Sequence, residues 1–443
     1  MGTFIQPHTS MESAQTTKEG LIRVMGVRAL SLGIVNMIIG AGIYVLPGRV
    51  AELLGPSAIL AYFLCSVAVA LVFLCYAEAG SRVSRSGGTY AYIEEAFGPF
   101  AGFLASVLLW LGWGILANAA VAIAFAELIG FAFPSMAGAV PRLLIVIGMF
   151  ALLVAVNIRG ARWGVRFSVV TTYAKLVPLV VLVVAGAFFV SWENLVIPEM
   201  PSWSSLGAGT LMLVFAFGGG ELALNAGGEV KDPGRTVPWA LLWGILTVFL
   251  VYLGIQGVAQ GVMGADLLNN MEAPLVATAE RAWGPWGRVF MLVGAGISIF
   301  GVTSGHVLNH PRAVFAAARD GLLPGVLARV HPTYHTPHTA ILFCAAIACG
   351  FALTGAFKTL AIVSSGSLLL LYLGCCLAVL RLRRTQPTSE GPVFRIPFGP
   401  VVPLASCVVI GWLLLSMTRS EVIGISILLA VSALYYVVFS RKR

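Results

Sequence analysis

The chain has 443 residues, of which 59% are hydrophobic and only 10% charged, with a mean hydropathy of +0.94. A soluble globular protein carries roughly 25% charged residues, so this composition excludes one and predicts an all-α protein solvated by lipid over most of its length. A net charge of +9 would suggest nucleic acid in a soluble chain, but membrane orientation accounts for it here and no nucleic-acid partner is expected.

Residues 1–26 are polar, with no apolar core and no small-residue cleavage site, and read as a disordered cytoplasmic tail. After it, twelve stretches meet the requirement of about 20 mostly apolar residues for a membrane-spanning helix. They run over 28–53, 57–83, 99–130, 141–157, 162–190, 205–230, 237–262, 286–317, 338–356, 359–381, 400–418 and 420–440. The first ten form an expected transporter core at 27–384, and 385–443 holds the last two and a short basic end.

Loop charges alternate with every span. Twenty Lys and Arg residues fall on one side, including Lys18, Arg82, Arg85, Arg159, Lys231, Arg312, Arg383 and Arg441. Six fall on the other: Arg49, Arg142, Arg281, Arg288, Lys358 and Arg419. The positive-inside rule then predicts a multi-pass protein of the cell membrane with both termini in the cytoplasm.

Near its middle, the first span carries Gly40-Ala41-Gly42, and the sixth carries Gly218-Gly219-Gly220 followed at once by Glu221. Glycine runs let a helix unwind, and bared backbone must face protein or a polar cavity instead of lipid. Close helix packing is the other use of such glycines. Two interrupted spans at matching places in two halves point instead to a transporter's substrate site. Five spans separate them, an odd offset that inverts the second unit relative to the first. The restarted half-helix of span 1 offers free amides suited to a carboxylate. The opposing helix ends offer carbonyls suited to an ammonium or a small cation. One zwitterion engages both.

Other polar residues reach the same depth. Lys175 lies halfway along the fifth span, and Pro178 deprives the carbonyl of Ala174 of its donor. A buried cation costs roughly 2.5–3.5 kcal/mol even on a lenient insertion scale, and desolvation favours the neutral amine. Lys175 is therefore expected to be the proton-coupling site, against the alternatives of an ion pair with Glu221 or a snorkelling side chain. Glu221 is either a second proton carrier or a brace for the unwound backbone. Ser298, Thr303, Ser304 and His306 cluster near the centre of span 8, and Asn118 in span 3 is either a pocket donor or a helix–helix hydrogen bond. Phe215 could lid the pocket, Glu78 reads as a structural brace, and Glu127 lies near the expected entrance. His306 and His310 have i, i+4 spacing, and His331, His335 and His338 cluster in a loop, but with no carboxylate or thiol ligand nearby in sequence neither a metal nor a cofactor is expected. Seven cysteines, odd in number and without Cys-x-x-Cys spacing, read as packing residues.

These motifs resemble the amino acid–polyamine–organocation transporters. Gly40-Ala41-Gly42-Ile43-Tyr44 is similar to that family's helix 1 break, and Arg85-Ser86-Gly87-Gly88-Thr89-Tyr90 to its first cytoplasmic loop. Phe215 to Glu221 resembles the helix 6 signature, and Ala318-Arg319-Asp320-Gly321-Leu322-Leu323-Pro324 the exit from helix 8. The resemblance implies a leucine-transporter-type fold: two inverted five-helix repeats plus two helices, with helices 1 and 6 unwound at mid-membrane. It implies a substrate carboxylate at the amides around Ala41, Gly42 and Ile43. It places the amino group at carbonyls near Ile38, Phe215, Ala216 and Gly218, with Phe215 as aromatic gate, and Gly40 and Gly219 belong to the same expected substrate site. It also implies that Lys175 stands in for a sodium ion and touches the helix 1 break and a helix 8 hydroxyl, Thr303 or Ser304. Gly220 departs from the bulky residue often found before the helix 6 acid, which bears on substrate size. The expected activity is proton-coupled, sodium-independent transport of neutral L-amino acids by alternating access. Exchange, or an amine or polyamine cargo, are the alternatives. A channel would need a full polar stripe, and an enzyme a nucleophile–base or metal constellation; the sequence offers neither.

Overall fold

The computed structural model describes residues 25–83, 88–159, 161–319, 321, 323–385 and 394–440. Most of the expected tail, the loop residues Arg85, Ser86 and Gly87, the exit residues Asp320 and Leu322, and the basic end 441–443 lie outside the described residues.

The first apolar stretch is two helices, α1 (Val27–Ile38) and α2 (Gly42–Leu54), parted by three residues. Helix α3 (Ala58–Arg82) is unbroken. Helices α4 (Thr89–Phe97) and α5 (Pro99–Val107) lead into a π-helical turn at Leu108–Ile115 and then α6 (Leu116–Ala132). Helices α7 (Ala139–Arg159) and α8 (Ala161–Gly186) follow, the latter winding through Pro178. The second broken stretch is α9 (Trp203–Phe217), which gives way to a 3-10 segment at Gly220–Glu229. Helices α10 (Pro233–Met263), α11 (Pro274–Trp283), α12 (Pro285–Arg319), α13 (His338–Ala352), α14 (Phe357–Thr385), α15 (Val401–Leu415) and α16 (Arg419–Ser440) complete the chain.

Among the described residues there is no named strand, only a bridge between Met25 and Val230. Among the described residues, eight helical stretches are long and apolar enough to cross a membrane, and four shorter apolar stretches accompany them: Val27–Ile38, Tyr173–Phe189 (the later part of α8 and the turn after it), His338–Ala352 and Val401–Leu415. The interruption itself shortens Val27–Ile38, which is why length alone does not mark it as a span.

Both halves of the first broken helix lie against the second. Helix α1 packs on the 3-10 segment and on α10, while α2 packs on α9. Helix α8 lies against α12 and α10, and α14 closes on the π-helical turn, α6 and α9. The outside is apolar: Leu144, Val184, Val408, Ile423 and Leu434 are all exposed. So large an apolar exterior marks a membrane-facing surface. Glu78 is wholly buried at the end of α3, where its carboxylate accepts from Arg82 (2.9 Å), from Arg383 of α14 (2.8 Å) and from the N–H of Ile396 (3.0 Å). It ties α3, α14 and the approach to α15 together, the brace expected of it.

Candidate functional site

The two breaks touch, and each uses glycine for a different reason. At the first, Ile39 turns extended (ψ 99°) after α1. Gly42 then approaches Ala216 so closely that a Cβ there would stand 2.8 Å from the Ala216 Cα. At the second, Gly219 takes φ +112°, a left-handed conformation that glycine tolerates and a side chain does not. A Cβ on Gly219 would also lie 2.5 Å from the Met37 carbonyl oxygen. Gly40 meets Val302 of α12, and Gly218 meets Trp113 and Leu368. A side chain at Gly42 would thus strike Ala216 directly, besides crowding any carboxylate.

The last four carbonyls of a helix have no intrahelical donor and must find one elsewhere. For α1 the accounting runs through three other elements. Val35 O accepts from the Ile39 N–H (2.9 Å). Asn36 O accepts from the Lys175 ammonium of α8, Met37 O lies against Gly219, and Ile38 O accepts from the Tyr252 hydroxyl of α10 (3.3 Å). The same hydroxyl donates to Ala216 O of α9 at 3.0 Å, so one phenol holds both breaks. Tyr44 of α2 donates to Lys175 O (3.3 Å), next to the carbonyl that Pro178 leaves without its helical donor. Lys175 is 2% exposed, and its positive charge sits at the C-terminal, negative end of the α1 dipole.

Aromatic rings flank the breaks. Phe215 packs edge-on against Trp113 of the π-helical turn (6.2 Å) and Phe357 of α14 (5.9 Å). The Arg49 guanidinium lies 5.7 Å above the Phe357 ring and 3.7 Å from Glu127, near the end of α2. Beyond the other face, Glu221 accepts from the Gly219 N–H (3.0 Å) and from the Tyr372 hydroxyl (3.0 Å). Tyr372 in turn packs edge-on with Phe73 and Tyr76. The partners of Glu221 are thus Gly219 and Tyr372, with no ion pair to Lys175 among the described residues.

Ile38, Gly40, Ala41, Gly42, Ile43, Phe215, Ala216, Gly218, Gly219 and Lys175 thus come together around the breaks. Thr303 returns its hydroxyl to Ile299 O (2.8 Å); Ser304 is buried, and neither bonds Lys175 among the described residues. Asn118 lines a small cavity with His306 and His310. The amides of Gly42 and Ile43 belong to the first turn of α2, where N–H groups lack helical partners. Sequence reasoning passed over Tyr252, Tyr372, Trp113 and Phe357. Each is an aromatic in an apolar helix and carried no signal beyond packing.

A model of the amino acid permease family matches residues 26–439. A serine/threonine exchanger of Bacillus subtilis, SteT, is 30% identical, over 96% of this chain and 99% of its own. A methylthioribose transporter from the same organism is 31% identical, over 97% and 96% respectively. The mouse (Mus musculus) Asc-type amino acid transporter 1 is 31% identical, over 84% of this chain and 72% of its own. This chain belongs to the amino acid permease family, among the amino acid–polyamine–organocation transporters that its motifs resemble.

Proposed function

We propose that this protein is a sodium-independent secondary carrier of small neutral L-amino acids, working by alternating access and coupled to protons through Lys175. One observation carries the reading: two interrupted helices meet at their breaks, and a buried lysine grips the carbonyl end of one of them. The eight long and four shorter apolar helices support twelve passes of the cell membrane, arranged as two inverted repeats of five plus two, with both termini in the cytoplasm.

In this reading the substrate carboxylate sits on the amides at the start of α2, and the ammonium on carbonyls of Ile38, Phe215, Ala216 and Gly218. Phe215 covers the bound amino acid. Among the described residues at the breaks the carboxylate is Glu221, and it is already engaged by an amide and a phenol, so it does not stand free to neutralise a cationic side chain. The cargo is therefore neutral, which disfavours an amine or polyamine.

Lys175 supplies the coupling. Its ammonium makes a charge-assisted hydrogen bond to Asn36 O, a class of bond worth about 1.5–3 kcal/mol, and answers the dipole of α1. A neutral amine loses most of both contributions, so deprotonation releases the end of α1. The lysine thereby provides the positive charge that a sodium ion would otherwise bring. Obligate exchange is the second reading, favoured by the similarity to a serine/threonine exchanger over nearly the whole chain.

The test is uptake into proteoliposomes of L-serine, the other common amino acids and methylthioribose, with and without a pH gradient and sodium. Gradient-driven, sodium-indifferent uptake of a neutral amino acid is expected. Lys175→Met should abolish the driven component and keep counterflow. Uptake that needs an amino acid on the far side and ignores the gradient assigns exchange, and uptake of methylthioribose alone overturns the amino acid reading.

A further inference from the structure

A second polar centre lies away from the breaks. His306 and His310 of α12 stack edge-to-face with ring centroids 4.9 Å apart. With Asn118 of α6, Gly114 of the π-helical turn and Cys344 of α13 they line a cavity of about 10 Å³. That is the space one water occupies. His306, His310 and Asn118 are each 5% exposed, and His306 Nδ1, His310 Nε2 and Asn118 Oδ1 have no protein partner. Buried polar atoms nearly always have one, and here three orphans from two helices share one small chamber.

The chamber is joined to the breaks by the π-helical turn, a feature that recurs at functional sites. Gly114 lies so close to His310 that a Cβ there would stand 2.5 Å from the ring. The adjacent Trp113 packs on Phe215 and lies against Gly218. One short segment therefore touches the histidine pair on one side and the substrate break on the other.

We propose that Asn118, His306 and His310 form a water-bridged proton-binding site, separate from Lys175, whose occupancy acts on the substrate break through the π-helical turn. With both rings neutral, a water donates one hydrogen to Asn118 Oδ1 and one to the bare nitrogen of one ring, and accepts from the N–H of the other. A proton added at the bare nitrogen turns that ring into a donor. The water must then rotate, and among the lining side chains its freed hydrogen finds the Cys344 sulfur, a weak acceptor. The facing titratable groups are Lys175 of α8, within electrostatic reach of His306, and Cys344 of α13. The lining residues of the π-helical turn and α6 carry no charge. A cation on Lys175 opposes one on His306, so the two centres compete for protons.

Two measurements on the full chain in lipid test the site, and only the second rests on the carrier reading. In solid-state NMR of protein labelled with 15N-histidine, two rings should exchange magnetisation with water. They should also take up a proton as the pH is lowered below about 6.5, the ordinary histidine value. His306→Gln and His310→Gln assign the two signals by deletion, and Gly114→Ala, which presses a methyl on His310, should remove the water contact. Rings that stay dry and in one charge state throughout overturn the proposal, even if no substrate is found. In counterflow of L-serine at equal pH on both sides, apparent affinity should vary with pH in the wild type and vary less in His306→Gln and His310→Gln. An unchanged pH profile in both variants overturns the link to the break, whereas absence of any amino acid flux in the wild type overturns the carrier reading instead.

Discussion

Tyr252→Phe removes one oxygen and tests how the two breaks are held. The hydroxyl is the donor shared by Ile38 O and Ala216 O, and Tyr252 is wholly buried, so water cannot replace it. Leaving a buried acceptor unmet costs about 1–3 kcal/mol, and one proton serving two acceptors is counted once. The ring keeps its edge-on contact with Phe217, 4.8 Å between centroids, so packing is conserved. If that cost falls on the geometry needed for binding, affinity drops by roughly 5- to 150-fold, at 1.4 kcal/mol per factor of ten. Scintillation proximity binding of radiolabelled L-serine to purified protein reads this directly, with a thermal melt alongside. The opposite sign is informative. The carbonyls of Ile38 and Ala216 are also the ones proposed for the substrate ammonium, and were the phenol only its competitor there, removal would tighten binding. Tighter or unchanged affinity in Tyr252→Phe refutes the clasp.

Three further substitutions, one with a control, follow from the other contacts. Gly42→Ala places a methyl 2.8 Å from the Ala216 Cα, and overpacking of this kind costs about 1–3 kcal/mol; uptake should fall at least several-fold, while Gly305→Ala, with no atom within 4 Å of its added methyl, should transport normally. Gly219→Ala combines a left-handed backbone with a 2.5 Å approach to Met37 O, and is expected to lose monodisperse protein on size exclusion. Glu78→Ala strips Arg82 and Arg383 of their shared carboxylate; breaking a buried pair costs about 3–5 kcal/mol, so a clear fall in melting temperature is expected and an unmoved one argues against the brace.

The glycine clusters were legible because an unwound, closely approached backbone leaves few other residues possible. Gly219 needs its positive φ, and Gly42 needs room beside Ala216. Lys175 was legible because a cation in an apolar stretch has to be accounted for. Its partner on helix 1 came from the resemblance, and the bond goes to Asn36 O of α1; the helix 8 hydroxyl named with it is not found among the described residues, where Thr303 bonds its own helix. Tyr252 stands 214 residues from Ile38 and 36 from Ala216, a coincidence of tertiary structure that no periodicity records. The π-helical turn was equally hidden, since Leu108–Ile115 has the composition of the helices around it. Asn118 was visible as a polar residue in a span, but only the fold reveals that it faces the histidine pair.

The partners of α1 suggest where coupling resides. At its start, the Lys231 N–H donates to Met25 O (3.0 Å) beside the Met25–Val230 bridge, and at its end Met37 lies on Gly219. Both ends are thus fixed to the segment after α9, so α1 and that segment move together or separate at considerable cost. What ties this pair to its surroundings near the breaks is different in kind. Tyr252 joins α10 to both breaks by a neutral bond that persists across the working pH range, whereas Lys175 joins α8 to α1 by a bond whose strength follows its charge. On the proposed coupling, loss of the Lys175 proton would therefore loosen α1 from α8 while the clasp to α10 stays shut. Motion about α10 with release from α8 is the movement this arrangement permits. Cross-linking across α1 and α8 should accordingly block transport in the wild type, and cross-linking across α1 and the segment after α9 should leave it intact; the reverse pattern would place the hinge elsewhere.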